Sequence, residues 1–228
     1  MTFNDLEPLD PAYVAEVLSR PPFVTIEGVI NVRDLGLYPS DTNPGQMTRP
    51  RLLYRSAELS GITKEGEKQL KALNISKVFD LRSDTEIRKY NTPQPEINDV
   101  EVVHIPVFQK EDYSPEMMAK YTISTAFMEL YSQILDHGGS AFGTILRHIR
   151  DKPTEGCLFH CTAGKDRTGI IAAILLKLAG INDAAIADDY ALTRVGREPA
   201  RAMIMARLSK EPIFASNNEA ALNMFTCR

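Results

Sequence analysis

The chain has little that would hold it in a membrane, staple it with disulfides or draw it wholesale to nucleic acid. Its longest uninterrupted apolar run, Ile170 to Leu176, falls far short of the roughly 20 residues that a bilayer-spanning helix needs. The opening MTFNDLEPLD is acidic and has neither the positive start nor the apolar stretch of a secretory leader. A cytoplasmic protein is therefore expected, with the nucleus as the second location. Three cysteines in 228 residues, odd in number and unevenly spaced, make a poor disulfide framework and suit a reducing compartment. A formal net charge of −4 argues against broad nucleic-acid binding but leaves room for one locally positive pocket. Repeats and low-complexity stretches are also lacking.

What is present is apolar material, 43% of the chain, enough to bury a core without staples. One domain spanning 1–228 is expected, with an arm and short helix in 1–22 and a weakly patterned tail from 209 to 228. Asp10-Pro11 pairs a capping residue with a proline suited to a first helical turn. RLLYRS from Arg51 reads as a strand and Thr63 to Leu73 as a threonine-capped helix. ISKVFDL, Ile75 to Leu81, and VEVVHIPV, Val100 to Val107, read as further strands. Phe127, Leu130, Tyr131, Ile134 and Leu135 repeat at helical spacing, as do Phe142, Ile145, Leu146 and Ile149. GCLFH from Gly156 is a short buried strand. It precedes a helix over Thr168 to Leu178 so evenly apolar that an internal position is expected. Helices are also expected at Ala184 to Arg194 and Ala200 to Leu208. Strands alternating with helices predict an α/β fold with a central, mostly parallel sheet flanked by helices.

Chemistry concentrates in HCTAGKDRTG, His160 to Gly169. A loop that joins a strand end to a helix aims backbone N–H groups at whatever lies beyond the strand. Gly164 has the conformational freedom to let Thr162, Ala163, Gly164 and Lys165 fold into an anion-binding nest. Arg167, in the first helical turn, can add a two-pronged contact to a tetrahedral oxyanion. Positive surroundings of this kind favour the thiolate of a cysteine at the loop's start, which makes Cys161 a nucleophile. A nucleotide P-loop would need Gly-Lys-Ser/Thr, whereas Gly164-Lys165 is followed by Asp166 and Phe159 stands where the first glycine belongs.

His160, Cys161, Arg167 and Thr168 form the pattern His-Cys-x5-Arg-Thr, which resembles the signature loop of the cysteine-dependent protein tyrosine phosphatase superfamily. With Gly-Lys-Asp inside the loop, NVRDLG at Asn31 to Gly36 and FDLRS at Phe79 to Ser83, the chain looks most like the atypical bacterial and fungal tyrosine/dual-specificity branch. The resemblance covers about Phe23 to Arg194. One departure stands out: Leu37 occupies a position where a second glycine commonly follows RDLG. The resemblance implies a phosphatase fold, a phosphorylated protein or phosphoinositide as substrate, no metal and no cofactor. It also implies that Asp166 serves as general acid, with Asp112 as the competing, loop-borne acid.

Chemistry and resemblance together assign the remaining roles. Thr168 can hydrogen-bond the departing sulfur. Lys165 can bring a second positive charge to the mouth. Arg82 can reach phosphate or brace the loop. His160 is expected to orient the loop through its ring nitrogens, with a core histidine as the alternative. Asp80, Arg33 and Asp34 are expected to support, with buried ion pairing as plausible for these three and Arg82 as substrate contact. Two alternatives remain open. One is a catalytically weak phosphate-binding module; the other is a thiol redox protein built on Cys157 and Cys161, paired as a reversible disulfide.

Overall fold

The protein is described here by a computed structural model covering residues 7–109 and 124–210. Asp112, Cys227 and the rest of the tail beyond Lys210 lie outside the described residues. A five-stranded sheet runs in the order β1-β2-β5-β3-β4, with β1 at Arg33–Asp34, β2 at Leu53–Ser56, β3 at Ile75–Asp80, β4 at Glu101–His104 and β5 at Gly156–His160. All neighbouring pairs are parallel except β1 with β2. The expected α/β fold, a mostly parallel sheet flanked by helices, is what the chain adopts.

Register fixes where the site can be. Ser56 of β2 and Asp80 of β3 both stand beside His160 of β5. The carboxyl ends of the three inner strands therefore finish together, the edge at which open α/β sheets gather ligands. Side chains alternate along β5. Cys157 and Phe159 enter a core shared with Phe142, Ile145 and Ile171, and Leu158 enters a second core on the other face with Tyr54, Leu70 and Val78. Complete burial of a side chain such as Leu158 contributes roughly 1.5–3 kcal/mol.

The helices begin where their caps allow. In α1, Pro11–Leu18, Asp10 Oδ1 accepts from the Tyr13 amide at 2.8 Å. In α2, Lys64–Ala72, Thr63 Oγ1 accepts from Gly66 at 3.1 Å. A short α3, Asp84–Tyr90, starts at Ser83 and ends at Asn91 in the left-handed conformation. Among the described residues the next helices, beyond β4, are α4, Ser124–His137, and α5, Gly139–Asp151. After β5 come α6, Asp166–Leu178, α7, Asp183–Ala191, the single turn α8, Thr193–Gly196, and α9, Arg201–Leu208.

Several boundaries differ from the sequence expectation, each for a local reason. The second strand starts at Leu53 because Arg51 sits at φ 60°. The strand expected through Val107 stops at His104, two residues before Pro106, which cannot donate to a ladder. α6 is buried along one face, at Ile171, Ala172, Leu175 and Leu176, half-buried along the other, and reaches the surface at its C-terminal end, where Leu178 is 70% exposed. The helix expected over 184–194 is two helices. Neither α3 nor the antiparallel β1 was evident from periodicity, since seven and two residues carry too little of it.

Candidate active site

The turn between β5 and α6 is the loop from Cys161 to Lys165. Cys161 leaves the strand end almost fully buried. Every carbonyl that follows it is tied into the protein. Thr162 O accepts from the Glu58 amide at 3.2 Å, Ala163 O from Asn31 Nδ2 at 3.2 Å, Gly164 O from Asn31 Nδ2 at 3.2 Å and Arg55 Nη2 at 2.9 Å, and Lys165 O from the Gly169 amide at 2.6 Å. The amides of Thr162, Ala163 and Gly164 donate to nothing among the described residues. Gly164 makes the curvature possible, at φ 64° and so close to β2 that a Cβ would lie 2.3 Å from Ser56 O.

Arg167 enters from the first turn of α6. Its Nη1 and Nη2 donate to Glu86 Oε2 and Oε1 at 2.7 and 2.8 Å, a two-pronged contact that fixes the plane of the guanidinium. Glu86 also accepts from Thr162 Oγ1. One buried carboxylate on α3 thus joins both ends of the loop. Thr168 is fully buried, and its hydroxyl has no hydrogen-bond partner among the described residues. An orphaned buried hydroxyl is costly unless something else uses it.

Behind the loop lies a buried ionic cluster. Asp189 of α7 accepts from Arg33 Nε at 2.9 Å, Arg55 Nη1 at 2.5 Å and the Tyr38 hydroxyl at 3.2 Å. Arg33 also donates to Asn31 Oδ1 at 2.6 Å, Asp189 O at 2.8 Å and Thr193 Oγ1 at 3.0 Å. Burial and the adjacent Arg55 charge pull the Arg33 guanidinium down to about 10, with Asp189 opposing the fall. For Asp189, burial would push the carboxyl up, but the two guanidiniums outweigh it and the net direction is down.

On the solvent side, Asp166 Oδ1 accepts from the Tyr131 hydroxyl at 3.1 Å and the Tyr190 hydroxyl at 3.4 Å, and the two hydroxyls also bond each other. Tyr190 can lie this close because Gly169 has no Cβ; one added there would stand 2.8 Å from its ring. Lys165, expected at the mouth, is only 2% exposed. Its Nζ lies 4.8 Å from the centre of the Phe127 ring and 4.0 Å from Asp166 Oδ1, covered by α4.

The other expected site residues separate into two groups. Arg82 is wholly buried, its Nε and Nη2 donating to Asp80 at 2.9 and 2.8 Å and its Nη1 to Thr92. It therefore has the surroundings of a brace. Burial opposes the charge on Asp80, but His160, Arg82 and Gln94 outweigh burial and hold its carboxyl well below the usual range. His160 Nδ1 lies 3.2 Å from Cys161 O, and burial lowers its imidazole. Asp34 is elsewhere: its oxygens accept from the Gly36 amide at 2.9 Å and the Arg51 amide at 2.7 Å, pinning the connection between β1 and β2.

Sequence reasoning missed Glu86, Asn31, Arg55, Asp189, Tyr131 and Tyr190. Ser83-x-x-Glu86 is the capping-box spacing, a signal that could have placed α3. The Ser83 hydroxyl does accept from the Glu86 amide at 3.1 Å, while the Glu86 carboxylate turns to Arg167 instead of closing the box. The disulfide alternative fails on distance. Cys157 and Cys161 lie along one extended segment, about 13 Å apart at 3.3 Å per residue, whereas a disulfide needs Cα atoms about 4.4–6.8 Å apart. Both cysteines are free, and burial pushes the Cys157 thiol up to about 12. No helix among the described residues is long and apolar enough to cross a membrane.

Residues 24–228 match the model of a family described as the tyrosine phosphatase family. A "Tyrosine-protein phosphatase" of Nostoc commune is 35% identical over 141 residues, 61% of this chain and 47% of that protein. A "Triple specificity protein phosphatase PtpB" of Mycobacterium tuberculosis is 28% identical over 194 residues, 72% of this chain and 67% of that protein. The chain thus spans about half the length of the first of these relatives.

Proposed function

This chain belongs to the tyrosine phosphatase family, and we propose that it hydrolyses phosphomonoesters through a phosphorylated cysteine, with phosphotyrosine as the primary substrate class. The observation that carries the reading is the loop whose carbonyls, from Thr162 to Lys165, are all engaged inward while Cys161 stands at its start and Arg167 at its end. Such a loop leaves its amides for three equatorial phosphoryl oxygens, where preorganised donors stabilise developing charge.

In the first step Cys161 Sγ, as thiolate, attacks phosphorus, and the P–O bond to the leaving group breaks. Asp166 gives its proton to the departing oxygen, and the Cys161 S–P bond holds the phosphoryl group. In the second step water attacks phosphorus, Asp166 takes a proton from it, and the sulfur leaves as thiolate, releasing inorganic phosphate. The orphaned Thr168 hydroxyl supports a role as donor to that leaving sulfur. Glu86 holds the plane of Arg167, and Arg82, Asp80 and His160 brace the strand ends beneath the loop. Phosphoserine/threonine and phosphoinositide are the further substrates to examine.

The test is phosphate release from a small aryl phosphate with chelator present, for wild type, Cys161→Ser, Asp166→Asn and Asp112→Asn. Loss of turnover in the first two variants is expected. Full turnover in Cys161→Ser overturns the covalent mechanism. Full turnover in Asp166→Asn with loss in Asp112→Asn moves the acid to Asp112. Wild-type phosphate binding without turnover would instead make the chain a binding module.

A further inference from the structure

We propose that Asp189 is a positioning residue for the phosphate loop: by holding Arg33 and Arg55 it keeps the loop's carbonyls turned inward and thereby presents the loop's amides at the mouth. The inference rests on the phosphatase reading above and assigns a task to a carboxylate on α7 that lies outside all three sequence motifs.

The geometry follows from the peptide bond. In a planar trans peptide the carbonyl of one residue and the N–H of the next point in opposite directions. Asn31 Nδ2 holds the Ala163 and Gly164 carbonyls, and Arg55 Nη2 holds the Gly164 carbonyl as well. The amides of Gly164 and Lys165 must then point away from that brace. Thr162 O, fixed by the Glu58 amide, sets the Ala163 amide in the same way. Three successive donors are thus oriented by what is done to the carbonyls behind them.

Asn31 and Arg55 can do this only if they are themselves held. Arg55 and Arg33 are buried side by side, and two like charges out of water repel and lose hydration. Asp189 places one carboxylate oxygen on each of them. Arg33 in turn donates to Asn31 Oδ1, which directs the Asn31 amide nitrogen toward the loop. Tyr38 and Thr193 complete the surroundings of Asp189 and Arg33. The chain of contacts runs from α7 through β1 and β2 to the loop, and Asp189, Arg33, Arg55 and Asn31 are all buried. This also explains NVRDLG: Asn31 and Arg33 are the parts of that motif that serve the loop, whereas Asp34 serves the backbone.

A merely structural ion cluster would alter stability and leave phosphate affinity alone, so affinity is the discriminating readout. Binding of inorganic phosphate to the full chain is measured calorimetrically for wild type, Asp189→Asn, Arg55→Lys, Asn31→Ala and the double variant Asp189→Asn/Arg55→Lys, alongside aryl phosphate turnover. Where unfolding is reversible, the apparent dissociation constant is the intrinsic one divided by the folded fraction, so each constant is corrected by the folded fraction read from denaturation under the same conditions. The expected result is binding weaker by roughly tenfold or more in each single variant, with the double variant weaker by less than the product of the two. A folded Asp189→Asn chain that binds phosphate within about twofold of wild type overturns the inference. Should that variant not fold, unchanged binding in both Arg55→Lys and Asn31→Ala overturns it equally. Those outcomes leave the phosphatase reading standing if wild type turns over. Conversely, wild-type binding without turnover removes the phosphatase reading while the brace is still measured, and a wild type that neither binds phosphate nor turns over the aryl phosphate removes both.

Discussion

Replacing Glu86 by glutamine tests how far the orientation of Arg167 depends on one carboxylate. The variant keeps the shape of the side chain but removes the charge that receives Arg167 Nη1 and Nη2 at 2.7 and 2.8 Å and also accepts from Thr162. The ion pair is nearly dry, with the two side chains 11% and 2% exposed. Removing one partner of a buried pair costs about 3–5 kcal/mol, and because glutamine retains one acceptor the lower end is expected, about 3 kcal/mol. For a chain of this size that corresponds to a fall in Tm of roughly 6–12 °C. A guanidinium free to turn also loses its place against the transferring phosphoryl group. Misplacing one preorganised donor costs on the order of 10²–10³ in kcat, and a drop of about 10² is expected. Chemical denaturation gives the first quantity and aryl phosphate turnover the second. A Glu86→Gln variant with wild-type midpoint and wild-type kcat would refute the assignment of Glu86 as the clamp on Arg167.

Three further outcomes follow from single residues. Gly164→Ala places a Cβ 2.3 Å from Ser56 O at φ 64°; beyond the roughly 1–2 kcal/mol for that backbone conformation, the loop must lift from β2, and calorimetry should find phosphate binding lost. Leu37, at φ 66° and 58% exposed, holds a left-handed position that suits glycine, so Leu37→Gly should not destabilise and should gain up to about 1 kcal/mol in urea unfolding; a loss of that size would contradict the reading. Stability should fall in acid in two stages. Burial lowers His160, so the unfolded chain binds that proton first, and stability present above about pH 6.5 declines below it. Asp80 and Asp189 are also lowered, so their contribution, present above about pH 4, is lost as pH falls further. Urea midpoints that stay flat between pH 7 and pH 3 would contradict both stages.

The sequence made legible whatever is local or periodic. The strand ends at Ser56 and His160, the helices capped by Asp10 and Thr63 and the crowded loop all announce themselves through local pattern. Cys161, Asp166, Arg167 and Thr168 could be named because one loop carries them. Glu86, Arg55 and Asp189 could not, because their partners lie far along the chain and only the packing of helices on the sheet brings them together. Asp189 contacts Arg33 across 156 positions, a pairing no local pattern encodes. Lys165 lies deeper than its expected place at the mouth, since charge alone does not reveal that Phe127 covers it, and of the two roles expected of Arg82 its enclosure by Asp80 and Thr92 suits the brace. Adjacency in sequence groups Asp34 with Arg33, but successive strand residues point to opposite faces, and Asp34 serves a different part of the fold.

Trapping the phosphorylated cysteine tests the central claim most directly. The wild-type chain is mixed with an aryl phosphate, quenched in acid during turnover and digested for mass spectrometry. One phosphoryl group is expected on the peptide that contains Cys161, rising in Asp166→Asn if hydrolysis slows more than formation, and absent from Cys161→Ser. Turnover with no phosphoryl group on that peptide, or a phosphoryl group retained in Cys161→Ser, would contradict it.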